Sequence, residues 1–351
     1  MTGFASRVVA WQRAHGRADL PWQTRDPYRV WLSEIMLQQT QVTTVLRYYE
    51  RFVAAFPDVR SLADAPLDRV LEHWSGLGYY RRAHHLHGAA KAIVAQHDGV
   101  FPRDPAALAA LPGIGRSTAA AIAAFAFGVN GAILDGNVKR VLARHRGIDG
   151  FPGEPKVERR LWGIAEALKP DRDIERYTQG MMDLGANVCT RANPQCGACP
   201  VRDDCVALRD GRVGELPSPR PRKPVPQRAV RLLVIEHAGE LLLERRPDTG
   251  IWSGLWSFPE LPLDEDVDTA LRARFGAEAF TRERLAPLTH AFTHFTLRMH
   301  PERVSVARFA RSVNAPGGVW LSPFDARRAA LPAPIRRLIA SLDAPVQRAL
   351  V

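Results

Sequence analysis

Every cysteine of the chain, Cys189, Cys196, Cys199 and Cys205, falls inside one stretch, CTRANPQCGACPVRDDC, with six, two and five residues between successive thiols. Thiolate sulfur is the ligand that iron–sulfur clusters and structural zinc require, so this crowding asks for a metal. Disulfides are the first alternative, but they belong to oxidising compartments. The N-terminus, MTGFASRVVAWQRAHGR, has no apolar core of signal-peptide length, and the chain is expected to stay in a reducing cytoplasm. Zinc is the second alternative, and a zinc ribbon brings two separated CxxC pairs, whereas only Cys196 and Cys199 form one here. The spacing favours a four-cysteine 4Fe-4S cubane.

The 351 residues are enough for two domains with separate cores. A formal charge of +11 and a pI near 10.1 suggest a polyanionic partner such as nucleic acid. The longest apolar run, Ala119 to Val129, is too short to span a bilayer and reads as a buried helix. No membrane partner is expected.

Up to about residue 205 the pattern is a succession of amphipathic helices broken by Pro and Gly turns, including Val30 to Phe52, Leu67 to Trp74 and Val157 to Leu168. The texture changes at LPSPRPRKPVPQR, a proline-rich, basic stretch that reads as an extended linker. Domains are therefore expected at 1–215 and 229–345, joined by 216–228. The second should be α+β: a hairpin turning at Ala238 and Gly239, a Gly/Trp-rich loop over Gly250 to Pro259, and a short helix near Asp268 to Phe275. Apolar strands follow around Leu285 to Arg308, and Ala333 to Leu342 closes the domain as a helix.

Three places could carry chemistry. LPGIGRSTAAAIAAFAF opens from a Pro-Gly-x-Gly turn directly into an Ala-rich helix. Gly113 and Gly115 let the backbone approach an anion, and the amides of the following helix would point at it. Glu34 lies among Val30, Trp31, Ile35 and Leu37 in a run that reads as buried, where desolvation raises a carboxyl pKa. Asp135 precedes NVKRVLAR, where an N-cap is the plain reading and a carboxylate facing a cationic centre the chemical one. An acid that protonates a leaving group and a carboxylate that supports an oxocarbenium-like centre are the pair that glycosidic cleavage uses.

The hairpin, followed by LDGNVKRVLAR and the cysteine window, resembles the helix-hairpin-helix DNA glycosylase superfamily. WLSEIMLQQTQV, GLGYYRRAHHLH, LPGIGRSTAA, ILDGNVKRVLAR and MMDLGANVCT together look like the MutY family of adenine DNA glycosylases. That resemblance implies that Glu34 protonates N7 of adenine, that Asp135 stabilises the sugar cation, and that Asn137 assists in the same pocket. It places Trp22 and Gln179 against the flipped adenine, and Gln39, Thr40 and Tyr79 as intercalating residues beside the mispair. Their plain readings are a helix surface for Gln39 and Thr40 and a core aromatic for Tyr79. At Ser117 the endonuclease III branch carries the lysine that cleaves the strand through a Schiff base. Serine there implies base removal alone, and it also suits a helix cap.

The C-terminal part resembles a Nudix (MutT-like) fold. A Nudix hydrolase holds magnesium with a glutamate-rich helix. This chain offers DTALRARFGAE instead, which argues against diphosphate hydrolysis. The resemblance implies that this domain reads 8-oxoguanine through Phe292, Thr293 and His294, whereas HAFTHFTL read plainly is an alternating strand.

The expected protein is thus multidomain, an all-α helix-hairpin-helix glycosylase domain with an iron–sulfur loop plus an α+β Nudix-like domain. The resemblance implies a monofunctional, monomeric enzyme acting on double-stranded DNA with adenine opposite 8-oxoguanine or guanine, alongside other repair proteins. The rivals are a bifunctional endonuclease III-type glycosylase and lyase acting on oxidised pyrimidines, and a non-catalytic iron–sulfur redox protein that binds DNA.

Overall fold

The computed structural model describes residues 3–221, 224–310 and 318–342. Parts of the expected linker (222–223) and of the expected second domain (311–317 and 343–345) lie outside the described residues. Contacts divide the chain into two compact units, Met1–Asp64 with His85–Arg222 and Ala65–His84 with Lys223–Val351. The segment Ala65–His84 therefore groups with the C-terminal unit, although its helical pattern alone assigns it to the first domain.

The first unit is helical. In chain order its elements are α1 (Phe4–His15), α2 (Pro27–Leu37), α3 (Val42–Ala55) and α4 (Val59–Asp64). After α5 (Leu67–Trp74), which groups with the second unit, come α6 (Arg81–His97), α7 (Pro105–Ala109), α8 (Arg116–Phe127), α9 (Gly136–His145), α10 (Pro155–Leu168), α11 (Ile174–Asp183) and α12 (Val206–Arg209). The expected helix over Val30 to Phe52 is two helices. Asp26 caps α2 by accepting from the Tyr28 and Arg29 amides, with Pro27 at the first position. The helix ends where Gln39 takes a left-handed backbone, φ +55°, a conformation that an α-helix cannot continue through. Apolar spacing resumes in α3, so the sequence pattern hides the break.

The core of this unit joins Phe4, Val8, Ala121, Ala124, Val138, Leu142, Leu161 and Leu184 from five elements. Alanines at 119 to 121 and at 123 to 124 on α8 are all buried, and such small side chains let α8 run close to α2. Past α11 the chain makes one π-helical turn, Leu184–Val188, closed by Cys189 N donating to Leu184 O at 2.7 Å. That turn delivers the chain into the cysteine loop.

The second unit is built on a mixed sheet. Its strands are β1 (Gln227–His237), β2 (Glu240–Arg245), β3 (Trp256–Ser257), β4 (Glu260–Leu261), β5 (Ala277–Arg284), β6 (Leu288–Ala291), β7 (Thr296–Phe309) and β8 (Gly318–Leu321). The order is β3-β2-β1-β7-β5, with β1 and β7 parallel in the register Ile235↔Val304. The hairpin turns at Ala238 and Gly239, at φ +48° and +82°, a pair of left-handed positions that matches the twist of β1 and β2. Leu232 to Ile235 are all fully buried, so both faces of the central strand are covered. Helix α13 (Val267–Phe275) packs Val267, Leu271 and Phe275 onto this core, and α14 (Pro323–Arg328) and α15 (Ala333–Leu342) complete the unit. Among the described residues no helix is long and apolar enough to cross a membrane.

Candidate active site

A cavity of about 680 Å³ opens in the first unit, within the size range of small-molecule pockets. Trp22, Glu34 and Gln179 all line it. Helix α2 turns Glu34 into the cavity while Trp31, Leu32, Ile35 and Met36 are fully buried beside it. Burial pushes the Glu34 carboxyl up to about 8, and the charge of nearby Asp135 adds to the rise. It is an acid that keeps its proton near neutrality. Trp22 is 7% exposed and rests edge-on against Tyr49 of α3, ring centroids 5.2 Å apart, giving the cavity a rigid aromatic wall.

Asp135 does cap α9, with Oδ1 accepting from the Val138 amide at 2.7 Å. Burial raises its pKa, opposed by hydrogen bonds from the Val138 and Asn137 amides and by the charges of Arg140 and Lys139. The cap and the chemical role are compatible, because one carboxylate oxygen serves the helix. Ser117 is not a cap. Gly115 holds the N-cap position of α8, and the Ser117 hydroxyl accepts from the Leu134 amide at 2.9 Å. The serine thus pins the residue that precedes Asp135.

Asn137, like Asp135, is not among the residues that line this cavity. Its Oδ1 accepts from Arg140 Nη2 at 2.8 Å, and the same guanidinium donates to Gly185 O and Cys189 O at 2.7 and 2.8 Å. Gly185 has to be glycine: a Cβ there would lie 2.5 Å from the Asn137 Cβ. The π-turn, the first turn of α9 and the start of the cysteine loop are joined by this one arginine.

The four cysteines surround a small cavity of about 30 Å³, walled by Val141, Val188, Val201 and Leu208. Arg144 donates to Cys189 Sγ at 3.4 Å and to the Thr190, Arg191 and Leu216 carbonyls at 2.6, 3.1 and 2.8 Å. Burial pushes the Cys199 thiol up to about 11, and the three neighbouring thiols add to it. Burial raises the Cys205 thiol too, and a bound cationic centre is what reverses such a rise. Among the described residues no three His, Cys, Asp or Glu side chains lie close enough to hold one metal ion.

The Pro-Gly-x-Gly turn joins α7 to α8. Gly113 sits at φ +76°, and a Cβ on it would come within 2.6 Å of the His85 Cβ, so glycine is required there. A Cβ on Gly115 meets nothing within 4 Å; that side is open at the N-terminus of α8. Gln39 and Thr40 form the turn between α2 and α3, with Gln39 exposed, which replaces the expected helix surface. Tyr79 is 51% exposed at φ +48°, which rules out a core aromatic.

In the second unit, Phe292 to Phe295 form the four-residue turn between β6 and β7 rather than continuing a strand. Phe292 N donates to Phe295 O at 2.8 Å and the two rings stack at 4.7 Å, leaving Thr293 and His294 exposed at the tip. Helix α13 bears Asp268 as its only carboxylate. Arg274, on the same helix, ion-pairs with Glu244 of β2 at 2.5 Å, while Arg246 pairs with Glu260.

Residues 32–167 match the HhH-GPD superfamily base excision DNA repair protein family, and residues 230–341 match the NUDIX domain. The adenine DNA glycosylase of Buchnera aphidicola subsp. Acyrthosiphon pisum (strain APS) is 35% identical over 340 residues, covering 96% of each chain. The adenine DNA glycosylase of Homo sapiens is 31% identical over 402 residues, covering 96% of this chain and 73% of that one. This chain belongs to the adenine DNA glycosylase family. Among solved structures, a thermostable thymine-DNA glycosylase superposes at TM-score 0.54 with 29% identity, covering 59% of this chain and 95% of that one. An endonuclease III in a non-covalent complex with DNA shares the helical fold at TM-score 0.50 and 21% identity.

As a member of that family the glycosylase is a base-excision repair hydrolase of N-glycosyl bonds. Its helical region is the helix-hairpin-helix fold and its sheet-containing region the Nudix-like one. The sequence patterns missed one residue of its cavity wall, Arg17, and the buried carboxylate behind it, Asp183. Asp183 of α11 is fully buried and accepts from Arg17 Nε at 2.7 Å, Arg17 N at 3.0 Å and Gln179 Nε2 at 2.9 Å. Arg17 lines the cavity beside Gln179, and the shared carboxylate fixes both. The only sequence signal was Asp183 four residues after Gln179 on one helix face. Arg17 lies in an irregular segment with no periodicity to mark it.

Proposed function

We propose that this glycosylase removes undamaged adenine mispaired with 8-oxoguanine or guanine in double-stranded DNA and leaves an abasic site. The observation that carries the reading is Glu34, a carboxyl with its pKa pushed up to about 8 at the wall of a cavity with ample room for a base, and raised in part by the charge of Asp135. Glu34 protonates the flipped adenine, the bond to C1′ breaks, and the Asp135 carboxylate faces the oxocarbenium-like centre until water captures it. Burial raises the Asp135 carboxyl as well, and the amides of Asn137 and Val138 oppose that rise by hydrogen-bonding to its charged form. Trp22 stacks on the extruded base, and Gln179, with its amide nitrogen committed to Asp183, offers its oxygen to the base edge.

Strand cleavage through a Schiff base needs an amine at the start of α8, and Ser117 supplies a hydroxyl already bonded to Leu134. Gln39, Thr40 and Tyr79 act as wedges beside the extruded nucleotide, as suits positions of which Gln39 and Tyr79 are exposed with left-handed backbones and Thr40 is half-buried. Cys189, Cys196, Cys199 and Cys205 would hold a 4Fe-4S cluster; when bound it staples the loop that presents Arg191 and Arg202 to phosphate. The Nudix-like domain, 229–345, reads the damaged base through Phe292, Thr293 and His294. The arginines of α13 stand where diphosphate hydrolysis needs carboxylates. Action on chromosomal DNA places the enzyme in the bacterial cytoplasm, working as a monomer with other repair proteins.

The test offers duplexes carrying adenine opposite 8-oxoguanine or thymine glycol opposite adenine, with strand breaks scored before and after alkali. Breaks only after alkali and only at the mispaired adenine are expected. Alkali-independent breaks at thymine glycol would overturn the reading in favour of an endonuclease III-type enzyme.

A further inference from the structure

The loop from Pro247 to Leu255 is a compact body. Ser253 Oγ donates to Asp248 O at 2.6 Å, Arg246 Nε to Ile251 O at 3.0 Å, and Leu255 N to Trp252 O at 3.1 Å. At its centre Trp252 is 8% exposed and sits in a left-handed backbone, φ +54°, which is costly for so large a residue. The indole is held in place by what it touches. It packs on His290 and Phe292, ring centroids 5.5 and 5.2 Å away, and His290 meets Phe292 edge-on at 4.6 Å. Trp252 is therefore the floor under the turn whose tip is Thr293 and His294.

The other end of the same loop meets the segment that carries Tyr79. His84 Nε2 lies 3.0 Å from Ser253 O, and a Cβ on Gly254 would touch His84 and Leu71 at 3.3 and 3.4 Å. His84 N donates to Tyr80 O at 3.2 Å, and Arg82, bonded through its backbone amide to Tyr79 O, lays its guanidinium over the Tyr79 ring at 5.4 Å. One packed path thus runs from Tyr79 through His84 and Trp252 to Phe292, entirely within the unit formed by Ala65–His84 and Lys223–Val351.

We propose that Trp252 is a positioning residue that couples the Thr293–His294 turn to the Tyr79 segment, so that contact with the damaged base sets the wedge beside the mispair. The inference rests on the reading that the turn contacts 8-oxoguanine and that Tyr79 wedges. Without damage in the opposite strand, the turn has no partner and the wedge is left to position itself. The device serves discrimination between 8-oxoguanine and guanine, rather than the bond-breaking step.

The experiment is a double-mutant cycle in the full-length, cluster-loaded protein. Single-turnover excision of adenine opposite 8-oxoguanine is measured for Tyr79→Ala, His294→Ala and the pair, in the native background and again with Trp252→Ala. Coupling through packed neighbours predicts that the native-background pair departs from additivity by about fivefold and that the departure disappears with Trp252→Ala. Trp252→Phe should restore it, since an aromatic ring of smaller size still reaches Phe292. His84→Ala cuts the path at its other end without opening the aromatic cluster, and it should abolish the coupling as well. Additive effects in the native background, or coupling that survives both Trp252→Ala and His84→Ala, would overturn the proposal. Should His294→Ala alone leave excision opposite 8-oxoguanine unchanged, the reading of the turn fails, a result distinguishable from additivity between two effective substitutions.

Discussion

The Ser117 hydroxyl accepts a hydrogen bond from the Leu134 backbone amide at 2.9 Å, joining the first turn of α8 to the residue before Asp135. Ser117 follows the Pro-Gly-x-Gly turn by two residues, and Asp135 caps the next helix. The hairpin that would grip the backbone and the carboxylate that would face the sugar are thereby held in one register. A hydroxyl achieves this because it accepts; a protonated lysine amine at the same place has no lone pair to offer.

Ser117→Ala leaves the buried-side amide of Leu134 unpaired and should cost about 1–3 kcal/mol. Urea unfolding measures this, and single-turnover excision should slow by about tenfold as Asp135 loses its register. Ser117→Thr, which keeps the acceptor, should restore both.

Glu34 gives a signed pH dependence. As the proposed general acid it must be protonated, so excision should be steady at neutral pH and fall as pH rises through about 8. Stability follows the same group: unfolded, the carboxyl ionises near 4.5, while folded it keeps its proton up to about 8. The folded state binds the extra proton throughout that window, so this contribution is full below about 4.5 and is lost as pH rises to about 8. Glu34→Gln removes the dependence, and its thermal midpoint should gain on the native protein across that window. A constant offset between the two would contradict the assigned pKa.

Asp183→Asn strips the carboxylate from a fully buried position that Arg17 and Gln179 share. Removing one partner of a buried pair costs about 3–5 kcal/mol, which denaturant unfolding detects. Because Arg17 and Gln179 both line the cavity, substrate affinity should fall together with stability.

Much of this architecture was readable from residue patterns. The hairpin at Ala238 and Gly239 and helices α5 and α15 stand where turn chemistry and apolar spacing put them. The break between α2 and α3 was not readable, because apolar residues keep helical spacing on both sides of Gln39 and only its left-handed backbone shows the turn. The Ser117 bond was equally hidden: its partner is a backbone amide seventeen residues away, and periodicity carries no record of that. Glu34 stood out because a carboxylate among buried apolar residues is conspicuous in any sequence, whereas Arg17 sits in an irregular loop where an arginine is ordinary. The joint at Trp252 depends on ring contacts between two separate segments and a His84 contact from a third, which only the folded chain brings together.

Cys199→Ser removes one of the four thiols around the cavity of the cysteine loop. Visible absorbance and protein-bound iron should both be lost, and affinity for non-specific duplex should drop by about tenfold with a shallower salt dependence, as phosphate contacts disappear. Full iron content in this variant would exclude the four-cysteine ligand set.

The central claim is that Glu34 supplies the proton for adenine departure. Its most direct test is single-turnover excision by Glu34→Gln on a duplex with adenine opposite 8-oxoguanine, with binding of the same duplex followed by fluorescence anisotropy. The glutamine is nearly isosteric and cannot deliver a proton, so excision should fall by about a thousandfold or more while duplex affinity stays within about threefold of the native protein. Excision at a near-native rate by a variant that binds normally would contradict the account.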